Sequence, residues 1–214
     1  MKINKKEIIK YISIIIIGTA IGLLMIKYGD FGQKVTNSCA LTNSNYMTDQ
    51  LSEYKYAVQT FIPEFDDLRS ISLMIDRQAD MADQGCVVVT VYDSEGNELG
   101  SDQKDIINMK SNKQETYLID TKVVPGNTYY FSVQAIGIGE VGPALVYRAM
   151  PIDRITENIS LQYDGAVLEN SSTACAYTYV MPVTKMQMIE FVVFGMVLCA
   201  VIWNMVEVVK RKRI

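Results

Sequence analysis

The 214-residue chain contains no histidine. That removes the commonest general base, the commonest zinc ligand and any Ser-His-Asp arrangement. It also lacks G-x-x-x-x-G-K-S/T, G-x-G-x-x-G and C-x-x-C patterns, the usual signs of a phosphate-cradling loop or a redox thiol pair. GIGEVG at 137–142 resembles a glycine-rich loop, but it follows a strand-like run with no helix after it and reads as a flexible connection. Carboxylates are plentiful at Glu64, Asp66 and Asp67, at Asp76, Asp80 and Asp83, and at Asp93, Glu95 and Glu98. A glycosidase needs two of them across a cleft, whereas scattered ones on an acidic surface read as solvated. The expectation is a protein that is not an enzyme and carries no cofactor. Calcium is the ion such loops would suit, since it takes carboxylate and carbonyl oxygens, although no D-x-D-x-D loop occurs.

Charge is scarce in two stretches. Lys10 aside, residues 8–26 (IIKYISIIIIGTAIGLLMI) carry none, and residues 188–206 (MIEFVVFGMVLCAVIWNMV) carry only Glu190. Each is close to the roughly 20 residues that cross a hydrocarbon core as a helix. The first has the basic start of a signal peptide but no small-x-small cleavage site in LLMIKYGDFGQK, so it reads as an uncleaved anchor. Lys2, Lys5, Lys6 and Lys10 precede or open the first span, and Lys210, Arg211, Lys212 and Arg213 follow the second. Basic flanks stay on the cytoplasmic side. Both termini are therefore expected on the cytoplasmic side of a membrane, with the central segment extracytoplasmic. That segment, 28–185, holds 11 Lys and Arg against 21 Asp and Glu, a net −10, which argues against a nucleic-acid partner. The expected boundaries are a cytoplasmic N-terminus at 1–7, spans at 8–27 and 186–209, a juxtamembrane stalk at 28–52, a β-sandwich at 53–185 and a basic tail at 210–214.

Small residues recur within the spans as Gly18-x-x-x-Gly22 and Gly195-x-x-x-Cys199. At 1.5 Å per residue the two pairs overlap in depth, about 7–14 Å and 10–17 Å below the outer end. Such pairs let helix backbones approach closely, so close packing of the chain's own spans, or of a partner helix, is expected there. Of the other cysteines, Cys86 opens the strand-like run CVVVTVY, and Cys39 with Cys175 is the one disulfide pairing to entertain, both lying near the ends of the central segment. The alternative, three unpaired thiols, fits a spacing that matches no small disulfide scaffold.

The central segment is a series of short runs rich in Val, Ile, Thr, Tyr and Phe: 56–62, 68–75, 86–92, 116–120, 128–135, 144–149, 160–163 and 175–181. β-Branched and aromatic enrichment with near alternation indicates half-buried strands. The stalk offers an early strand at 35–41 or 46–51, and KDIINMK reads as a strand or one helical turn. Between the runs stand turn sequences. DSEGNE (93–98) supplies Gly96 and Asn97, PGN (125–127) sets Pro125 and Gly126 at the corners of a type II turn, and YDGA (163–166) carries Asp-Gly. Many short strands with turns between them indicate an all-β sandwich or barrel.

Several residues carry a closer likeness: Phe61 and Phe65, the Leu68-x-x-Ile71 step, a Val-rich strand ending Tyr92-Asp93, Gly96, and Pro125-Gly126-x-x-Tyr129-Tyr130. Over roughly 56–149 this pattern resembles the jelly-roll domain found in bacterial cell-envelope membrane proteins, where it accompanies polysaccharide-assembly and polytopic glycosyltransferase-like proteins. The resemblance implies a jelly-roll-like antiparallel β-sandwich flanked by two transmembrane helices. With two spans the chain cannot form a lipid-linked-sugar active site of that kind by itself, so the enzymatic role does not carry over. The implied role is an accessory or interaction subunit in cell-surface polysaccharide assembly or export, with a polytopic membrane protein as partner. Tyr92, Tyr117, Tyr129 and Tyr130 are the aromatics expected to face a glycan or that partner, although alternation sends one of Tyr129 and Tyr130 inward. The second reading is a membrane-tethered carbohydrate-binding or sensing module. The third is a structural regulator of oligomerisation, with further copies of the chain as partners.

Overall fold

The computed structural model describes residues 5–28, 33–37, 45–77, 84–111, 113–150, 159–181 and 183–212. It divides into two compact units, one formed by the two ends of the chain and one by residues 34–181.

The terminal unit is a pair of helices, α1 (Lys5–Tyr28) and α2 (Lys185–Lys212). Both are long and apolar enough to cross a membrane, over Glu7–Tyr28 and Lys185–Val209. They run antiparallel, and glycine lets them touch backbone to backbone. A Cβ on Gly18 would sit 2.5 Å from the Met196 Cα, one on Gly22 would sit 2.7 Å from the Val192 Cα, and one on Gly195 would strike the Gly18 carbonyl oxygen. Thr184 and Gln187 start α2 with a capping box: the Gln187 N–H donates to Thr184 Oγ1 (3.3 Å) and the Thr184 N–H to Gln187 Oε1 (2.9 Å).

Among the described residues the second unit contains thirteen strands. The first seven are β1 (Gln33–Asn37), β2 (Tyr46–Gln50), β3 (Ala57–Phe61), β4 (Asp67–Asp76), β5 (Cys86–Tyr92), β6 (Glu98–Asp105) and β7 (Lys113–Lys122). The remaining six are β8 (Tyr129–Ile136), β9 (Ala144–Ala149), β10 (Leu161–Tyr163), β11 (Ala166–Leu168), β12 (Ser171–Thr173) and β13 (Cys175–Val180). They form two antiparallel sheets. The six-stranded sheet runs β11-β10-β3-β8-β5-β6; the seven-stranded sheet runs β1-β13-β4-β9-β12, with β2 on β9 and β7 on β4. The mostly β class expected from the sequence is therefore present.

Alternation puts Ala57 and Phe61 of β3, Val87, Val89 and Val91 of β5, and Tyr129, Phe131, Val133 and Ala135 of β8 into one core, with Ile71 and Leu73 of β4 and Tyr177 and Tyr179 of β13 facing them. Phe61 stacks on Tyr177 at 4.9 Å between ring centres, joining the two sheets. Such a pair adds about 0.5–1.5 kcal/mol to its burial. A polar tie crosses the same core. Gln59, 1% exposed, accepts the Thr173 N–H through Oε1 (3.0 Å) and donates from Nε2 to the Thr60 carbonyl (2.7 Å).

One expectation is corrected: residues 33–37 and 46–50, expected within a stalk, are strands of the seven-stranded sheet, β1 beside β13 and β2 paired with β9, Tyr46 facing Tyr147, and β2 falls on the early strand offered at 46–51. Of the two readings open for KDIINMK, the structure takes a single helical turn, a 3-10 turn at Ile106–Asn108 that follows strand β6; the polar alternation of β6 on a sheet edge gives no hydrophobic period. The turns follow their sequence chemistry. Gly96 and Gly126 have φ of 88° and 85°, and Asp164 and Gly165 both have positive φ, the requirement of a two-residue type I′ hairpin between β10 and β11.

Candidate functional site

The four tyrosines divide by face. Tyr117 is fully buried in the core from β7, and burial, then the Glu115, Asp102 and Cys86 charges, push its phenol up from the ordinary value. Tyr129 is 7% exposed, and its hydroxyl accepts the Val124 N–H at 2.9 Å. Neither ring can meet a ligand, which corrects the expectation for both. Tyr92 and Tyr130 lie on the opposite, outward face of the six-stranded sheet. They are direct cross-strand partners with rings stacked at 5.1 Å and 16°.

Strand register sets what surrounds that pair. Thr60 of β3 lies beside Tyr130, and Glu98 of β6 beside Tyr92. One row over stand Gln162, Val58, Ser132, Thr90 and Ser101, and the row beyond Thr90 holds Gln134, Val88 and Gln103. Directly opposed residues share a face, so these positions form one surface. It contains aromatic rings, hydroxyls, amides and valines. Among these described positions charge enters only through the β6 edge, at Glu98 and, beside Cys86, at Asp105. Sequence reasoning picked out the tyrosines but not this uncharged face, because its neighbours are brought together from strands far apart in the chain.

The turn beside the pair is held by Asp93, whose Oδ1 accepts the Glu95 and Asn97 N–H groups, both at 2.9 Å, while Oδ2 accepts Asn97 Nδ2 at 2.9 Å. Hydrogen bonds from Asn97 above all hold this carboxyl below its ordinary value.

A second feature lies where the β2–β3 loop meets the β8–β9 loop. Asp49 to Lys55 and Ile138 to Glu140 line a cavity of about 420 Å³. At its rim the Tyr54 side chain is 87% exposed. Tyr163 donates its O–H to the Gln50 carbonyl nearby (2.7 Å), and burial, then Asp49 and Asp164, push its phenol up to about 12.

Within the helix pair, Gly18, Gly22 and Gly195 meet at one seam. Cys199 instead lines a cavity of about 500 Å³ along the seam's flank with Ile14, Ile17, Ile21 and Trp203. Toward the chain ends Lys10 Nζ reaches Glu207 Oε1 (3.1 Å) and Asn204 Oδ1 (3.3 Å), and Trp203 Nε1–H donates to the same Glu207 oxygen (2.8 Å). Cys175 is buried in β13, and Cys39 lies outside the described residues, as do Asp80 and Asp83. Burial, then Asp105, raises the Cys86 thiol above its ordinary value, the direction of an unreactive cysteine. Among the described residues no group of three or more His, Cys, Asp or Glu could hold a metal ion.

No family model and no curated protein matches the chain. Solved structures share part of its outline. A clostridial cysteine protease after propeptide cleavage has 11% identity and a TM-score of 0.40, covering 71% of this chain and 41% of that one. Infectious bursal disease virus, Gx strain, has 7% identity and a TM-score of 0.28, covering 70% and 40%. The Gt strain of that virus has 10% identity and a TM-score of 0.23, covering 68% and 39%. The chain thus spans about two fifths of the length of these three, and at such scores the likeness carries no argument.

Proposed function

We propose that the chain is a non-enzymatic two-span membrane protein that holds a jelly-roll-type domain outside a bacterial cell. There it serves as an interaction subunit of a polytopic membrane protein in cell-surface polysaccharide assembly or export. The observation that supports this reading is the uncharged outward face of the six-stranded sheet, in a segment of net charge −10. Interface cores are depleted in charge and enriched in tyrosine, because stripping water from a charged group on docking costs far more than stripping it from a hydroxyl or an amide. The basic flanks of the two apolar helices support the topology.

A photocrosslinking residue in place of Tyr130, in native membranes, tests the docking. The expected result is one discrete adduct with a multi-span protein, lost when a charge is introduced by Thr60→Glu. An adduct with a second copy of the chain would favour an oligomeric regulator, and no adduct at all sinks the reading. Topology is checked by Ser94→Cys in the exposed hairpin: labelling by a membrane-impermeant maleimide in intact cells is expected, and labelling only after lysis refutes it. The second reading, a carbohydrate-binding or sensing module, is favoured by the exposed Tyr54 ring beside a polar cavity.

A further inference from the structure

The cavity at Tyr54 is built rather than incidental. The Leu51 N–H donates to the Pro143 carbonyl (2.7 Å), the Gly142 N–H to Gln50 Oε1 (3.3 Å) and the Gly137 N–H to Glu53 Oε1 (3.2 Å), so its two loops are laced together by three bonds. The loops also approach so closely that a Cβ on Gly142 would strike the Leu51 carbonyl oxygen. Ser52 Oγ accepts the Tyr54 and Lys55 N–H groups (3.3 and 3.0 Å), which fixes the turn that carries the exposed ring. Asp49 and Lys55, 3.5 Å apart, stand solvent-exposed in the same lining. At about 420 Å³ the space lies within the range of small-molecule sites.

We infer that this loop cavity binds a single neutral hexose unit of a glycan. The inference rests on the carbohydrate-binding reading and names its site and its sugar class. A pyranose offers C–H groups on its faces and, around its edge, hydroxyls that each donate and accept. Tyr54 supplies an aromatic surface for the C–H groups. The Asp49–Lys55 pair supplies an acceptor and a donor side by side for two adjacent hydroxyls. Three carboxylates, Asp49, Glu53 and Glu140, stand against one ammonium, which disfavours phosphorylated or uronic sugars by like-charge repulsion. The site is separate in residues from the Tyr92–Tyr130 face, so sugar recognition and partner docking occupy different surfaces of the domain.

The test is calorimetric titration of the full chain in lipid nanodiscs with glucose, galactose, mannose and their neutral oligosaccharides, with glucuronate as the charged comparison. Saturable binding of a neutral sugar is expected, with glucuronate at least tenfold weaker. Tyr54→Ala and Asp49→Asn should each weaken binding at least tenfold, and Tyr92→Ala should leave it unchanged. No saturation by any neutral sugar, equal binding by Tyr54→Ala, or loss on Tyr92→Ala overturns the inference. Glycan-array binding by the same nanodiscs separates the two levels. An array signal that survives Tyr54→Ala removes this site while keeping a carbohydrate-binding module, whereas no signal for the unaltered chain removes both.

Discussion

Introducing leucine at the glycine seam of the helix pair should separate the helices without stopping their insertion. Ordinary van der Waals contact begins near 3.4 Å, so a methyl carbon at Gly18 needs about 0.9 Å of extra room from Met196, and the rest of a leucine side chain needs more. A radial gap of 0.5–1 Å forfeits a quarter to a half of each dispersion contact, worth about 0.1–0.2 kcal/mol. Over a seam with about as many contacts as a buried leucine makes, roughly 40 to 60, the loss is on the order of 2 kcal/mol. That is about a thirtyfold drop in pairing. Leucine favours membrane insertion, so Gly18→Leu with Gly22→Leu, or Gly195→Leu alone, should still insert.

The native Cys199 gives the assay. It lines the same cavity as Ile14, so an Ile14→Cys variant, with the other cysteines replaced by serine, should form an oxidant-induced disulfide in membranes. The leucine substitutions should cut its yield and rate several-fold, while Ile16→Leu, on a face 63% exposed, should not. Undiminished crosslinking in both seam variants would refute the close backbone contact.

Two further predictions concern the β domain. Gln59→Leu removes the acceptor that Gln59 gives the buried Thr173 N–H, at a cost of about 1–3 kcal/mol, so the thermal midpoint should fall by roughly 2–12 °C, at about 2–4 °C per kcal/mol for a domain of this size; an unchanged midpoint would show that the tie carries no stability. Tyr163 has a phenol raised to about 12 against an ordinary value of 10.0, so its contribution is present in full below pH 10 and is lost as pH rises toward 12. The stability advantage over Tyr163→Phe, measured by denaturant titration, should therefore hold to pH 10 and shrink above it; a constant difference from pH 9 to 12 contradicts the assignment.

The elements legible in the sequence were those whose signal is local. CVVVTVY is β5 over its whole length, 86–92, because a run of β-branched residues between a glycine and a turn needs no neighbour to be recognised. Asp164-Gly165 fixes a hairpin by backbone preference alone. The strands offered only as alternatives, or not marked at all, depend on partners. QKVTN and YMTDQ are extended as β1 and β2 in the seven-stranded sheet. ELGSDQKD is held against β5 with Leu99 beside the core, and Asp102 Oδ2 accepts the Leu118 N–H of β7 at 2.8 Å. At the site, alternation separates Tyr129 from Tyr130, but it gives no absolute side for Tyr117, which required the sheet that β7 joins.

The uncharged face is the clearest case of information that exists only after pairing. Val58, Thr60, Ser132, Gln134, Val88 and Thr90 are unremarkable one by one, and acidic residues stand close to each of their strands in the chain. Antiparallel register in the order β3-β8-β5-β6 aligns the uncharged positions and leaves Glu98 and Asp105 on its outermost strand. A partner covering the middle strands therefore desolvates no ionised group, whereas one sliding past β6 meets carboxylates. That asymmetry also weighs against a second copy docked across the β6 edge, since symmetry would bring Glu98 and Asp105 of both copies to one seam, where like charges repel. A partner with a neutral centre and a basic margin beside β6 fits the same surface without that penalty. Replacing Glu98 and Asp105 with Lys should therefore weaken the Tyr130 crosslink to such a partner, and an adduct strengthened by those two changes would point instead to an acidic one.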